Sequence, residues 1–440
     1  VFHTSDKFSI FYIAISFVKY LIFYYREEKL KEYTFERSYE FFEKALKYIP
    51  NGVPMPRTPY FHQYGSVPVF LEEAKGAHLV DVDGNEYIDY MCAFGAVALG
   101  YANPKVKEAY ERQDSAANCT PIPSLRWVEL AEALVDLIPK MEWVVYGKNG
   151  SDVTTYATQV ARIHTGKNGI AVMRHGYHGL HHWCIENRSG IPEEYRAHIY
   201  KFEFNDLDDL DRVLTEHKGE IAGVFLTPYH HLAMMDQIMP EPGFYEGVRK
   251  LCDRDGCLMM MDDVRCGFRI QLEGSHVYFG ADVDLVCFGK TLGNGYPIST
   301  CMGKPELRAA ADQVYFSATH FYSSAPMGAA LAVLDIIKNE GPIERMIDLG
   351  TRLGQGLEAG AEGAGLRIRY TGFPSMPYMI IEGDDNLERN RFFCGEMAKR
   401  GVYMHPHHNW FLSAALSDED LQKTIDTAEV CFKLTKEKFE

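Results

Sequence analysis

Short apolar runs recur along this chain, and each stops abruptly. Trp143-Val144-Val145-Tyr146 ends at Gly147, and Ile221 to Leu226 ends at Thr227-Pro228. Cys257-Leu258-Met259-Met260-Met261 ends at Asp262-Asp263, and Leu285-Val286-Cys287-Phe288 ends at Gly289-Lys290. A run that is apolar at every position, not every second one, predicts a strand buried on both faces, as in a parallel sheet. Between the runs, Val153 to His164 is apolar at Val153, Tyr156, Ala157, Val160 and Ala161, a helical period. Ala329 to Ile337 is a second helix-like stretch. Strands alternating with helices over residues 96–330 predict an α/β fold with a mainly parallel sheet.

The residues that stop the runs carry the candidate chemistry. Burying an ammonium is expensive, so a lysine at the end of a buried strand is out of place. Lys290 reads two ways: as a lysine that snorkels into solvent, or as a desolvated amine, nucleophilic enough to form a Schiff base. Asp262 closes another buried run. The interval from Asp262 to Lys290 is long enough to connect two parallel strands, which would bring both side chains to the same sheet edge. An acid and an amine there suit pyridoxal phosphate: the lysine forms an imine with the aldehyde, and the aspartate keeps the pyridine nitrogen protonated. The bland counterpart is a structural Asp–Lys ion pair. A third stop, Gly147-Lys148-Asn149-Gly150-Ser151-Asp152, opens a helix, and its free N–H groups and dipole could hold a phosphate. Ser151 adds a hydroxyl; the plain alternative is that Ser151 merely caps the helix.

Four stretches occur in one order: Lys148-Asn149-Gly150-Ser151-Asp152, Gly176-Tyr177-His178-Gly179, Asp262-Asp263-Val264 through Gly267-Phe268-Arg269, and Phe288-Gly289-Lys290. With Gly76 to Tyr90 ahead of them, they resemble the class III aminotransferases, and within these the subgroup containing glutamate-1-semialdehyde aminomutase. The resemblance runs from about Ser38 to the C-terminus. It implies fold type I of the pyridoxal phosphate enzymes: a large cofactor domain, residues 96–330, and a small α+β domain from residues 37–95 and 331–440. Residues 1–36 would be an extension of uncertain role. It further implies Lys290 and Asp262 as catalytic residues. Gly150 and Ser151 would hold the phosphate, Val264 would pack beneath the ring, Tyr177 would stack on its open face and His178 would lie beside it. The family works as a homodimer with a shared site. A residue of the neighbouring subunit reaches the phosphate, matched here by Thr319, with Ser323 and Ser324 as alternatives. The implied substrates are an amine or amino acid and a keto acid or aldehyde. Transamination, an intramolecular aminomutase reaction and racemization would use the same residues, and a non-catalytic cofactor-binding protein would keep them too.

Some positions depart from the family pattern. Thr227-Pro228 stands where a Glu-Pro pair is usual, so the substrate pocket is expected to be less negative, with Thr227 beside it. Asp263 replaces a longer glutamate. Arg57 lies near the place of an arginine that grips a substrate carboxylate in the aminomutases, and Arg126 is a second option.

Composition changes this picture little. A chain of 440 residues with 46% hydrophobic content can bury a large core. A formal charge of −16 argues against general affinity for nucleic acid. The ten cysteines include no Cys-x-x-Cys pair and read as buried thiols of a reducing, cytoplasmic setting. His175, His178, His181 and His182, and again His405, His407 and His408, invite a metal reading, but no His-Glu-x-x-His helix accompanies them. No metal is therefore expected, and His230, His231 and His407 are expected to line the pocket. Phe8 to Tyr25 is mostly apolar and long enough to be weighed as a membrane anchor, yet Lys19 interrupts it. A non-catalytic extension is the favoured reading. Deleting residues 1–34 is expected to leave cofactor binding intact, and loss of the bound cofactor's visible absorbance in that truncation would refute it.

Overall fold

The computed structural model describes residues 32–55, 57–185 and 189–440. The apolar segment Phe8–Tyr25 lies outside them. Near the N-terminal side, β1 (Leu71–Lys75), β2 (His78–Asp81) and β3 (Glu86–Asp89) form an antiparallel ribbon. The expected apolar runs then assemble into one seven-stranded sheet. Its members are β4 (Trp143–Gly147), β5 (Gly169–Met173), β6 (Ile199–Phe202), β7 (Ile221–Leu226), β8 (Leu258–Asp262), β9 (Leu285–Phe288) and β10 (Ser299–Gly303). The order is β4-β10-β9-β8-β7-β5-β6. The pairs from β6 to β9 are parallel, while β10 runs antiparallel to both β4 and β9. The sheet is therefore mainly parallel, as expected. Strands β5, β7, β8 and β9 are buried at every position, which explains their unbroken apolar sequences.

The helix Gly150–Thr165 packs on β4, β7, β9 and β10 through the predicted stripe, Val153, Tyr156, Ala157, Val160 and Ala161. It begins three residues earlier than its apolar period, because a first turn needs no apolar face. The second helical stretch extends to Ala325–Glu340 and packs on the helix Pro104–Ala116. Downstream, β11 (Ile368–Thr371) and β12 (Tyr378–Ile381) form a hairpin. Then β13 (Val402–Tyr403) joins β3 in parallel, with Val402 opposite Ile88. One sheet thus draws on both ends of the chain.

The described chain is tied down from its first residue. Glu32 pairs with Arg400 at 2.8 Å, and the Tyr33 N–H donates to the Lys399 carbonyl at 2.8 Å. The Tyr33 hydroxyl donates to the Glu86 carbonyl at 2.9 Å. A truncation through residue 34 would remove these bonds, whereas one ending at residue 31 spares them. Among the described residues, no helix is long and apolar enough to cross a membrane. Nine cysteines are buried as expected, but Cys119 is exposed.

Arg269, fully buried, links the segments behind the sheet edge. Its guanidinium donates to the Leu412 carbonyl at 2.8 Å and to the Gly95 carbonyl at 3.1 Å, and it stands over the Phe411 ring. Arg269→Met leaves the buried Leu412 carbonyl without a donor and the Gly95 carbonyl with only the Thr291 hydroxyl at 3.4 Å, so it should cost roughly 1–3 kcal/mol of stability. The midpoint of urea unfolding measures this, and an unchanged midpoint would contradict it.

Candidate active site

Strand pairing builds the site. In the β8–β9 ladder, Asp262 lies opposite Cys287, so the chain leaves β9 and delivers Lys290 just beyond the Asp262 carboxylate. Lys290 has a φ of 44°, a left-handed conformation that costs a non-glycine residue on the order of 1–2 kcal/mol. Such strain persists where the surroundings impose it. Both residues line a cavity of about 390 Å³ at the C-terminal edge of the parallel strands. Gly150, Ser151, Tyr177, His178 and Val264 line the same cavity, as does Arg57. Seven of the sequence-derived positions and the amine itself are thus brought together.

The electrostatics of this cavity set the amine apart. Burial lowers the Lys290 pKa to about 8, Arg265 adds to the lowering, and Asp262 opposes it. His178 is buried against Asp262, with Nδ1 at 3.0 Å from Oδ2. The Val264 N–H donates to the other oxygen at 3.1 Å. These contacts fix the carboxylate plane. The His178 Nε2 is buried and has no hydrogen-bond partner among the described residues.

The turn before the helix is shaped by Asp152, whose carboxylate accepts the N–H groups of Lys148 at 2.9 Å and Asn149 at 2.8 Å. The helix cap is Asn149, so Ser151 does not cap it and sits inside the first turn. The Ser151 hydroxyl accepts the Leu180 N–H at 3.0 Å. Gly179 makes this approach feasible: its φ is 123°, and a Cβ there would meet the Ser151 Oγ at 2.4 Å. Lys148 lines the same end, its pKa lowered to about 8 by burial. Tyr177 remains 55% exposed, so its ring is open to the cavity mouth.

Other expected positions fall elsewhere. Thr227 does not line the cavity; its hydroxyl is buried and donates to the Tyr229 carbonyl at 2.8 Å, which closes the turn after β7. Asp263 also points away. It accepts from the Ser275 N–H and hydroxyl, each at 2.7 Å, and burial raises its pKa to about 8. Adjacent strand residues face opposite sides, so only one of Asp262 and Asp263 can reach the cavity. Arg126 pairs with Glu129 on an exposed helix and does not line it. Thr319 is exposed in a 3₁₀ turn, outside this cavity. Of His230, His231 and His407, only His231 lines it. Among the described residues, no cluster of His, Cys, Asp or Glu could hold a metal ion.

Two features escaped the sequence reading. Arg265 lines the cavity between His231 and Asn409. Ala93 and Phe94 also line it, and with Cys92 they take consecutive left-handed conformations. The Asp89 carboxylate holds this turn by accepting the N–H groups of Met91 at 2.7 Å and Cys92 at 2.9 Å. Arg57 then stands over the Phe94 ring, 4.7 Å from its centroid.

Known proteins resemble this chain in sequence and in fold. The chain is 37% identical to a 3-aminobutyryl-CoA aminotransferase of Cloacimonas acidaminovorans, over 91% of this chain and 96% of that protein. It is 34% identical to a glutamate-1-semialdehyde 2,1-aminomutase of Syntrophobacter fumaroxidans, over 92% of this chain and 99% of that protein. A solved structure of the FumI protein of a Sphingopyxis species, in its PLP internal aldimine form, superposes with a TM-score of 0.90 at 35% identity. That superposition covers 92% of this chain and 97% of the other. Residues 60–429 match the family model for class-III aminotransferases, and with it the strand-end lysine finds its setting: the chain belongs to the class-III aminotransferases.

Proposed function

We propose that this protein is a pyridoxal-phosphate-dependent transaminase in which Lys290 both anchors the cofactor and carries the proton. The observation behind this reading is the desolvated Lys290 amine beside the Asp262 carboxylate, on adjacent parallel strand ends. The cavity fits the cofactor on its own chemistry. An amine lowered to about 8 is ready for an aldehyde, a fixed carboxylate awaits a ring nitrogen, and a glycine turn at a helix start awaits a phosphate.

When bound, pyridoxal phosphate supplies an aldehyde and a conjugated ring that takes up the electron pair released at the substrate carbon. Asp262 holds the proton on the ring nitrogen, and His178 and the Val264 N–H keep its carboxylate aimed. The first-turn N–H groups at Gly150 and Ser151 would hold the phosphate, with the positive end of the helix behind them. Val264 and Tyr177, both lining the cavity, would pack on the ring. The Lys290 Nζ takes the proton from the donor carbon and returns it on the acceptor side, as general base and then acid. Arg57 at the mouth meets the substrate. The substrates are an amine or amino acid and a keto acid or aldehyde. Thr319, exposed on its own surface, serves the phosphate of a second copy in a homodimer. Nine buried thiols suit a cytoplasmic, reducing setting.

A half-reaction screen tests the scheme, following the bound cofactor's visible band with varied amino acids and amines. Turnover should require a keto acid or aldehyde acceptor; sustained conversion of a single substrate without one would instead mean an aminomutase. Lys290→Ala should lose covalent cofactor attachment and lower turnover by about 10²–10⁴-fold or more. Normal turnover in that variant would end the proposal. Lys290 must also be neutral to attack the aldehyde. Cofactor uptake by the apoprotein should therefore speed up as pH rises to about 8 and level off above it. An ordinary lysine would keep accelerating to about pH 10. Stopped-flow absorbance across this range distinguishes the two.

A further inference from the structure

The helix Phe244–Asp255 ends in a sharp turn that sets two thiols against each other. Gly256, in a left-handed conformation, stops the helix, and its N–H donates to the Cys252 carbonyl. The Cys257 N–H reaches back to the same carbonyl at 3.1 Å. A bond across this many residues closes a Schellman turn, whose two ends carry side chains that touch. Here both of those side chains are cysteines. The Cys252 thiol donates to the Cys257 sulfur. Sulfurs in that contact need a side-chain rotation, and no backbone movement, to reach the bonded distance of about 2.0 Å.

The pair is electrically uneven. The Lys167 Nζ donates to the carbonyls of Asp255 at 2.6 Å and Gly256 at 2.8 Å, which sets an ammonium beside Cys257. The Cys252 thiol, Lys167 and Arg249 together hold the Cys257 pKa below its usual value, against burial and Asp255. Cys252 is pushed well above its ordinary value, by Cys257 first and burial second. One sulfur is thus the readier nucleophile, and the other stands behind it as a resolving thiol. Both are buried, but the turn that joins them is not: Gly256 is exposed, and a Cβ there would meet only the Lys167 Nζ, at 3.8 Å. Opening of a helix's last turn costs little, so Cys257 is within reach of a solute. A second pair, Cys287 and Cys301, lies face to face across β9 and β10. It is sealed beneath the helix Gly150–Thr165, with the Cys287 Sγ against the Val153 carbonyl at 3.5 Å.

We infer that Cys252 and Cys257 form a reversible dithiol site, oxidised by small disulfides, that staples the helix end to the start of β8, the strand that ends in Asp262. The Cys257 thiolate attacks one sulfur of the small disulfide. A new S–S bond forms, the old one breaks, and the first thiol leaves with its electron pair and takes a proton from water. Cys252 gives its proton to solvent and attacks the Cys257 sulfur, which releases the second thiol in the same way. The protein loses two electrons and two protons, and the small disulfide gains them. The site is separate from the cofactor cavity, none of whose lining residues it shares. Because hydrogen bonds already close the turn, the staple leaves the native backbone in place and restricts the unfolded chain.

The test treats the holoenzyme with oxidised glutathione, blocks its free thiols with iodoacetamide in urea, and maps its peptides by mass spectrometry without reductant. The segment holding Cys252 and Cys257 should lose the mass of two hydrogens, take up no iodoacetamide and regain both thiols with dithiothreitol. Cys287 and Cys301 should be fully blocked. Cys252→Ala should stop at a glutathione held on Cys257, and Cys257→Ala should leave Cys252 at least about 10-fold slower to react. In wild type the urea midpoint should rise on oxidation and fall back on reduction. Free thiols at both positions after treatment, a bond from either to a third cysteine, glutathione retained on Cys257 of wild type, or an unchanged midpoint would each overturn the assignment. Should either variant fail to fold, the wild-type map decides alone.

Discussion

The site depends on one constraint, the parallel pairing of β8 with β9. Their register sets an acid at one strand end and an amine just past the next. Because both strands are buried along their whole length, a slip of either would draw Asp262 or Lys290 into the apolar interior, which is costly for a charged group. Desolvation of Lys290 therefore comes from the core packing itself. Other parts of the site respond to that placement: His178 steadies the acid, Gly179 lets the Ser151 hydroxyl come close, and the left-handed turn at Cys92–Phe94 brings Ala93 and Phe94 to the cavity.

The cavity's charge runs against that of the chain. The protein carries −16 overall, yet Arg57, Lys148, Arg265 and Lys290 line one small space in which Asp262 is a buried anion. An acidic exterior and a basic interior form a gradient that draws anions inward. A phosphate-bearing cofactor is the kind of guest such a gradient suits. Burial lowers the pKa of His231 and His408, and the positive charge of Arg265 adds to that lowering.

The sequence revealed much of this, and the limits are physical. Lys290, Asp262 and the Gly150–Ser151 turn were legible because each interrupts an unbroken apolar run, a signal local to the chain. Tyr177, His178 and Val264 came from the family motifs alone. Thr227 misled because a residue at a strand end can face either way, and composition does not say which. Arg265 was hidden in the motif beside Val264; only Asn409, far along the chain, marks it as facing the cavity. The turn at Cys92–Phe94 is marked in the sequence only by Gly95 at its end, and one glycine does not announce three left-handed residues before it.

The union of β3 with β13 carries a consequence for biogenesis. Every strand of the large sheet precedes residue 304, so it can pair while the ribosome is still adding the remainder. The small sheet cannot close until Val402 and Tyr403 emerge, because its fourth strand is made there. Asn409, which steadies Arg265, emerges later still. Closing so long a loop is entropically costly and comes late. A nascent chain thus holds its reactive lysine and aspartate on a formed sheet before the last wall arrives, and a shortened product from an early stop would have the chemistry without the enclosure.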